Sequence, residues 1–182
     1  MSRLSLVMLA ACGTLALAGD LAAQDPATPP SVAFIGVAFD GTHANSIQPG
    51  DSGTALQAAD RMRAVIQETS GVALVDTARV SAEVRKVERP GITCSTDVAC
   101  ARRVGRALGA RWVAVGRLRK VSNLIWYLSG QLVEVESGRV ALNDELELKG
   151  PRDEMLPRGA ASLARRMART ANGELGTSSS RD

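Results

Sequence analysis

Between residues 111 and 148 the chain holds three strand-like runs in direct succession. Residues 111–121, 124–136 and 139–148 are rich in Val, Leu, Ile and Trp, and the pairs Ser122-Asn123 and Ser137-Gly138 stand between them. Strands joined this tightly must run antiparallel, because a parallel crossover needs a dozen or more residues. A three-stranded antiparallel meander is therefore expected here, with side chains alternating between two faces.

The preceding segment alternates strand and helix. Residues 31–39 are apolar and read as a buried first strand. Residues 40–51 hold two Gly, a Pro and an Asn and read as a loop. Asp51 or Ser52 is placed to cap a helix running to about Thr69, with Ala55, Ala59, Met62 and Ile66 on one stripe. Gly71 ends it, and residues 72–76 form a short second strand. Thr77 opens a helix bearing Val80, Val84 and Val87, stopped at Pro90-Gly91. Ser95 or Thr96 caps a third, with Val98, Ala101, Val104 and Leu108 inward and Gly109 as C-cap. After Gly150-Pro151, Asp153 starts a last helix facing inward through Leu156, Ala160, Leu163, Met167 and Ala171. Strands alternating with helices imply a parallel first part. The expected fold is thus α/β: a single domain with a mixed five-stranded sheet, parallel first and an antiparallel meander at the end, packed with about four helices. A length of 182 residues suits one domain. Aromatic residues are only 3% of the chain, so its core must be aliphatic.

The first 23 residues read as an address. A basic Met1-Ser2-Arg3 start, an apolar run and the small residues around Ala22-Ala23 are the layout of a secretory signal. The expected organisation is signal peptide 1–23, linker 24–30, α/β domain 31–171 and a polar tail 172–182, in a periplasmic protein. Leu9-Ala10-Ala11-Cys12 also matches a lipobox, the alternative in which Cys12 is lipidated and the protein is an outer-membrane lipoprotein. Signal cleavage leaves Cys94 and Cys100, an even pair in an oxidising compartment, which reads as a disulfide across the start of the third helix. Free thiols are the alternative; a metal site needs more ligands than this spacing offers. A ring this small stabilises by about 2–3 kcal/mol in the loop-entropy model.

The chain carries little that reads as chemistry. There is no nucleophile elbow, phosphate-cradling glycine loop or zinc spacing. The single histidine, His43, shares its loop with Asp40 and Asp51, so the loop at 40–51 is the candidate for a metal or small-molecule site at the strand ends. Glu134, Glu136, Glu145 and Glu147 cluster on the late strands, and Arg102, Arg103, Arg106, Arg165, Arg166 and Arg169 on two helices; solvated faces account for both groups. The net charge of +3 does not call for nucleic acid. If both turns hold two residues, Val121 pairs with Leu124, and Glu136 with Arg139. The core face is then Trp112, Leu118, Ile125, Tyr127, Val133, Val135, Val140, Leu142, Leu146 and Leu148. The outer face carries Arg117, Arg119, Trp126, Leu128 and Leu132, a candidate partner surface on which Arg119 stacks on Trp126. A slip of one residue exchanges the faces.

Several motifs resemble a known family. Cys94-x5-Cys100-Ala101, Ala107-Leu108-Gly109-Ala110, Val113-Ala114-Val115-Gly116-Arg117 and above all Lys120-Val121-Ser122-Asn123-Leu124-Ile125 look like an exported bacterial family of uncharacterised function. That family is distantly similar to the amino-terminal domain of the Tol–Pal translocation protein and to curli-secretion lipoproteins. The resemblance implies an envelope α/β domain with an accessory or assembly role, no catalysis and an envelope protein as partner. Where the family shows Arg-Gly-Asn-x-Asp-x-Ser-Trp after the last strand, this chain has Lys149-Gly150-Pro151-Arg152-Asp153-Glu154-Met155 and keeps only the Gly and the Asp. The combined expectation is a non-enzymatic binding module without a cofactor or metal, the loop at 40–51 providing the alternative.

Overall fold

A computed structural model describes residues 28–173. The signal segment with Cys12, the linker up to residue 27 and the tail from residue 174 lie outside the described residues. Five strands form one sheet in the order β2-β1-β3-β4-β5. They are β1 (Ser31–Asp40), β2 (Ala73–Leu74), β3 (Trp112–Lys120), β4 (Ile125–Glu134) and β5 (Val140–Lys149). β2, β1 and β3 are parallel; β3, β4 and β5 are antiparallel, as the meander requires. Four helices complete the domain: α1 (Gly53–Glu68), α2 (Thr77–Val87), α3 (Val98–Ala107) and α4 (Arg152–Ala171). None of the described helices is long and apolar enough to cross a membrane.

The helix starts use neighbours of the expected caps. Asp76 rather than Thr77 accepts the first-turn N–H of α2, from Arg79 at 2.9 Å, and Asp97 rather than Ser95 or Thr96 does so for α3, from Cys100 at 2.9 Å. A carboxylate there also meets the positive end of the helix dipole. At α1 the N-cap position is Ser52, whose side chain makes no cap hydrogen bond, and Asp51 is buried in the protein interior.

The helices divide between the two faces of the sheet. α1 and α4 cover one face along the larger core, where Val32, Phe34, Leu118, Leu128 and Leu132 meet Met62, Ile66, Leu163 and Met167. The Gly116–Gly130 pair lies on this face. A Cβ at Gly130 would stand 2.3 Å from Met167 Cε and 3.0 Å from Leu163 Cδ2, so the missing side chain lets α4 sit down on the strands. α2 and α3 cover the other face through Val80, Ala101, Val113, Val133 and Val135. The Cys94–Cys100 disulfide closes over Val104 at the start of α3, as the cysteine pair implied.

The hairpins depart from the expected register. Lys120 pairs with Trp126, Arg119 with Tyr127 and Leu118 with Leu128. A two-residue type I′ turn demands positive φ at both central residues. No described residue other than glycine has positive φ, so Ser122-Asn123 does not make one. The loop instead takes Leu124 as well: Ser122 Oγ accepts from the N–H groups of Leu124 and Ile125, and Val121 and Ser122 both donate to Ile125 O. The second connection is also longer, closed by Gly138 N donating to Glu134 O and Glu134 N donating to Arg139 O, and a register shift opposite Leu132 and Val133 follows. Each slip inverts the next strand. Two slips restore β5, so β4 alone is turned over relative to expectation.

The end of β3 carries a buried charge. Lys120 is fully buried, and its Nζ donates to Asp51 Oδ2 at 2.6 Å. Gln48 N donates to the same oxygen at 2.7 Å, and Arg152 at the start of α4 stands 3.8 Å from Oδ1. Burial alone raises the Asp51 pKa. The hydrogen bonds from Lys120 and Gln48 and the charges of Lys120 and Arg152 outweigh it and hold the carboxyl below its ordinary 3.8. Breaking such a pair strands a charge in the interior at a cost of about 3–5 kcal/mol. Asp51→Asn is therefore expected to lose about that much stability in urea unfolding at neutral pH. A carboxyl depressed in the folded state stabilises above its unfolded pKa and stops doing so as pH falls through the folded one. The gap between wild type and variant should accordingly close below about pH 4; a gap independent of pH would contradict the assignment.

Candidate functional site

α3 is ten residues and about 15 Å long, whereas the strands of the meander extend over about 30 Å. The helix pair α2–α3 therefore covers only the half of its face near the start of β3. Past Val115 the face is open. Its rows across β3, β4 and β5 are Val115–Gln131–Asn143, Arg117–Ser129–Glu145 and Arg119–Tyr127–Glu147.

These side chains hold one another in place. The Arg119 guanidinium lies 4.5 Å above the Tyr127 ring and 3.6 Å from Glu145 Oε2. Tyr127 Oη donates to Glu147 Oε1 at 3.1 Å, and Lys149 Nζ meets the other oxygen at 3.0 Å. Gln131 Nε2 donates to Asn143 Oδ1 at 3.1 Å. Arg117 stands 3.9 Å from Asp40 at the end of β1. The hydrogen bond to Glu147 pushes the Tyr127 phenol above its ordinary 10.0, and Lys149 draws the Glu147 carboxyl below 4.5. A groove of about 390 Å³ runs over this surface, with Ser95 and Thr96 as its wall. Both lie inside the ring closed by the Cys94–Cys100 disulfide, which fixes the wall to the body of the domain.

The expected partner surface is thus half corrected. Arg117 and Arg119 are on the open face as expected. Trp126, Leu128 and Leu132 are not: they are 3%, 0% and 0% exposed and belong to the core under α1 and α4, because β4 is inverted. Trp126 packs against Phe39 with Lys120 Nζ 5.3 Å from its ring, and the aromatic under Arg119 is Tyr127, which had been placed in the core. Val133 and Val135 are buried, but beneath α3 on the opposite side.

The three candidate side chains of the loop at 40–51 are placed differently. Asp51 is committed to Lys120, Asp40 accepts from Thr42 N at 3.0 Å, and His43 is exposed. Among the described residues no group of three His, Cys, Asp or Glu side chains could hold a metal ion. The four glutamates are divided as well. Glu134 belongs to the β4–β5 turn with Ser137 and Arg139, away from Glu145 and Glu147. Arg102 clamps the carbonyls of Val135 and Glu136, and Arg166 pairs with Asp144, so two of the helix arginines serve the fold. A larger groove of about 880 Å³ lies at the opposite end of the sheet among Arg106, Arg111, Glu134 and Glu136. One of its walls is residues 28–31, where the described chain begins.

The arrangement is that of an α/β domain presenting a half-open sheet face, and the same fold occurs in known structures. The C-terminal domain of LpoB from Salmonella enterica matches with a TM-score of 0.53 at 16% identity, over 67% of this chain and 84% of that one. The NMR structure of LpoB from E. coli gives 0.51 at 16% identity, over 68% of this chain and 59% of that one. Lipoprotein GNA1162 from Neisseria meningitidis gives 0.52 at 12% identity, over 77% of this chain and 97% of that one. Identities this low show a shared fold. No curated protein matches the sequence. The chain belongs to the family described as protein of unknown function (DUF2380), which matches residues 30–167.

Two outcomes test the placement of β4. Tyr127 is the chain's single tyrosine, so its phenol can be titrated by ultraviolet difference absorbance without interference. Glu147→Ala should bring the midpoint down towards the ordinary 10.0; an unmoved midpoint would show that the contact is not made. Trp126→Ala should cost about 3–5 kcal/mol in denaturant unfolding, the loss expected for a large core side chain and far more than a surface site allows.

Proposed function

We propose that this protein is a non-enzymatic accessory module of the cell envelope, exported by its amino-terminal segment, that binds another envelope protein through the open face of its sheet. The observation that carries the reading is the uncovered half-face itself. Its polar side chains are held in rows by cross-strand contacts, with a Tyr pinned under an Arg at its centre. Ordered Tyr and Arg side chains lose little conformational freedom on binding and are enriched among interface anchors. The signal-like residues 1–23 and the disulfide fit an oxidising compartment outside the cytoplasm. The shared fold with a lipoprotein, GNA1162, supports the same setting.

In-cell cross-linking and affinity capture of the tagged full chain tests this. One dominant envelope protein is expected, and its recovery should fall about tenfold or more with Tyr127→Ala and Gln131→Ala combined, the loss expected when an interface anchor is removed. Arg158→Gln with Arg165→Gln, on the far side of the molecule in α4, should leave recovery unchanged. Equal recovery with the face variant would sink the proposed surface, and the absence of any dominant partner would sink the adaptor reading.

A further inference from the structure

Resting on that reading, we infer that the groove beside the disulfide recognises an extended acidic segment of the partner, with carboxylates at alternate positions received by Arg117 and Arg119. Both guanidinium groups have donors to spare. Their nearest carboxylates stand at 3.9 and 3.6 Å, outside hydrogen-bond distance, and neither guanidinium donates a hydrogen bond among the described residues. Arg63, Arg102 and Arg166, by contrast, all reach an acceptor. Two open guanidinium forks in a groove of about 390 Å³ are matched to the planar geometry of a carboxylate.

The spacing names the form of the ligand. Arg117 and Arg119 are alternate residues of β3 on the same face, about 6.6 Å apart along the strand. An extended peptide running along β3 repeats its own side chains at that interval, so acidic residues at positions i and i+2 place one carboxylate on each arginine. The rest of the lining completes the donor set. Ser95 brings a hydroxyl, whereas the Thr96 hydroxyl already donates to Thr93 O at 3.1 Å. Asn143 accepts from Gln131 at its Oδ1, and its Nδ2 donates no hydrogen bond among the described residues. Glu145 is the one carboxylate in the groove's lining; it stands 3.6 Å from Arg119, beyond hydrogen-bond distance, and an incoming carboxylate takes its place beside a guanidinium already positioned by Tyr127.

The test uses the exported protein purified with its disulfide intact, two-dimensional NMR, and a capped Glu-Ala-Glu-Ala-Glu peptide, with inorganic phosphate in a parallel titration. The peptide should shift the amide signals of Ser95, Thr96, Arg117, Arg119 and Gln131. Its affinity should fall about tenfold or more in Arg117→Gln with Arg119→Gln, the scale of a lost charge-assisted contact. The α4 pair Arg158→Gln with Arg165→Gln removes the same charge and should leave affinity unchanged. No shift with the peptide, an equal loss in the α4 pair, or shifts of these residues by phosphate alone would each overturn the inference. A partner captured in cells through the face while the peptide fails to bind defeats only the acidic-segment inference. Peptide binding without any captured partner defeats the protein-partner reading instead.

Discussion

A lysine ammonium removed from water needs an anion, and much of this domain is arranged around supplying one. Lys120 ends β3, and Asp51 reaches it from the loop before α1, 69 positions earlier in the chain. Arg152 approaches the same carboxylate from the first turn of α4. One buried contact thus ties together the end of the central strand, the loop leaving β1 and the corner after β5. In this chain that corner holds the arginine that completes the cluster. Replacing such a pair with apolar groups often costs nothing, whereas losing one member costs a great deal. Its value here is in fixing a single arrangement, because only Lys120 inside is compatible with Trp126 beside it in the core and Arg119 outside.

The surface chemistry follows from that parity. With Lys120 and Trp126 inward, Arg119 and Tyr127 must face outward, and a mixed row of Arg, Tyr and Glu crosses the sheet. α3 is too short to cover this row, and the disulfide holds the residues before it as a wall along its side. A surface built from opposed charges already in contact with one another stays ordered in water and offers many polar contacts at little entropic cost. This is the physical content of reading the domain as a binding module.

Much of the fold was legible in the sequence. The apolar stripe Ala55, Ala59, Met62 and Ile66 is buried as the helical period required, and so is Leu156, Ala160, Leu163, Met167 and Ala171 in α4. The tight connections after β3 and β4 forced the meander, and the cysteine spacing foretold a ring across the start of α3. The faces of β4 were less legible, because both parities are amphipathic: Ile125, Tyr127, Val133 and Val135 look as apolar as Trp126, Leu128 and Leu132. The deciding signal was local. Ser122-Asn123 lacks the glycine that a two-residue turn favours, so a longer loop was the better expectation. The role of Asp51 had no local signal at all, since its partner is on a strand far away in sequence. Arg117 and Arg119 were placed correctly because the parity of β3 does not depend on the turn that follows it.

The proposed binding site is the open sheet face and not the helical face. Site-specific photo-cross-linking in living cells tests it most directly, with a photoreactive residue at position 129 in the middle of the face and, separately, at position 67 on the exposed side of α1. One discrete adduct with an envelope protein is expected from position 129 and none from position 67. An adduct from position 67, or none from position 129, would contradict it.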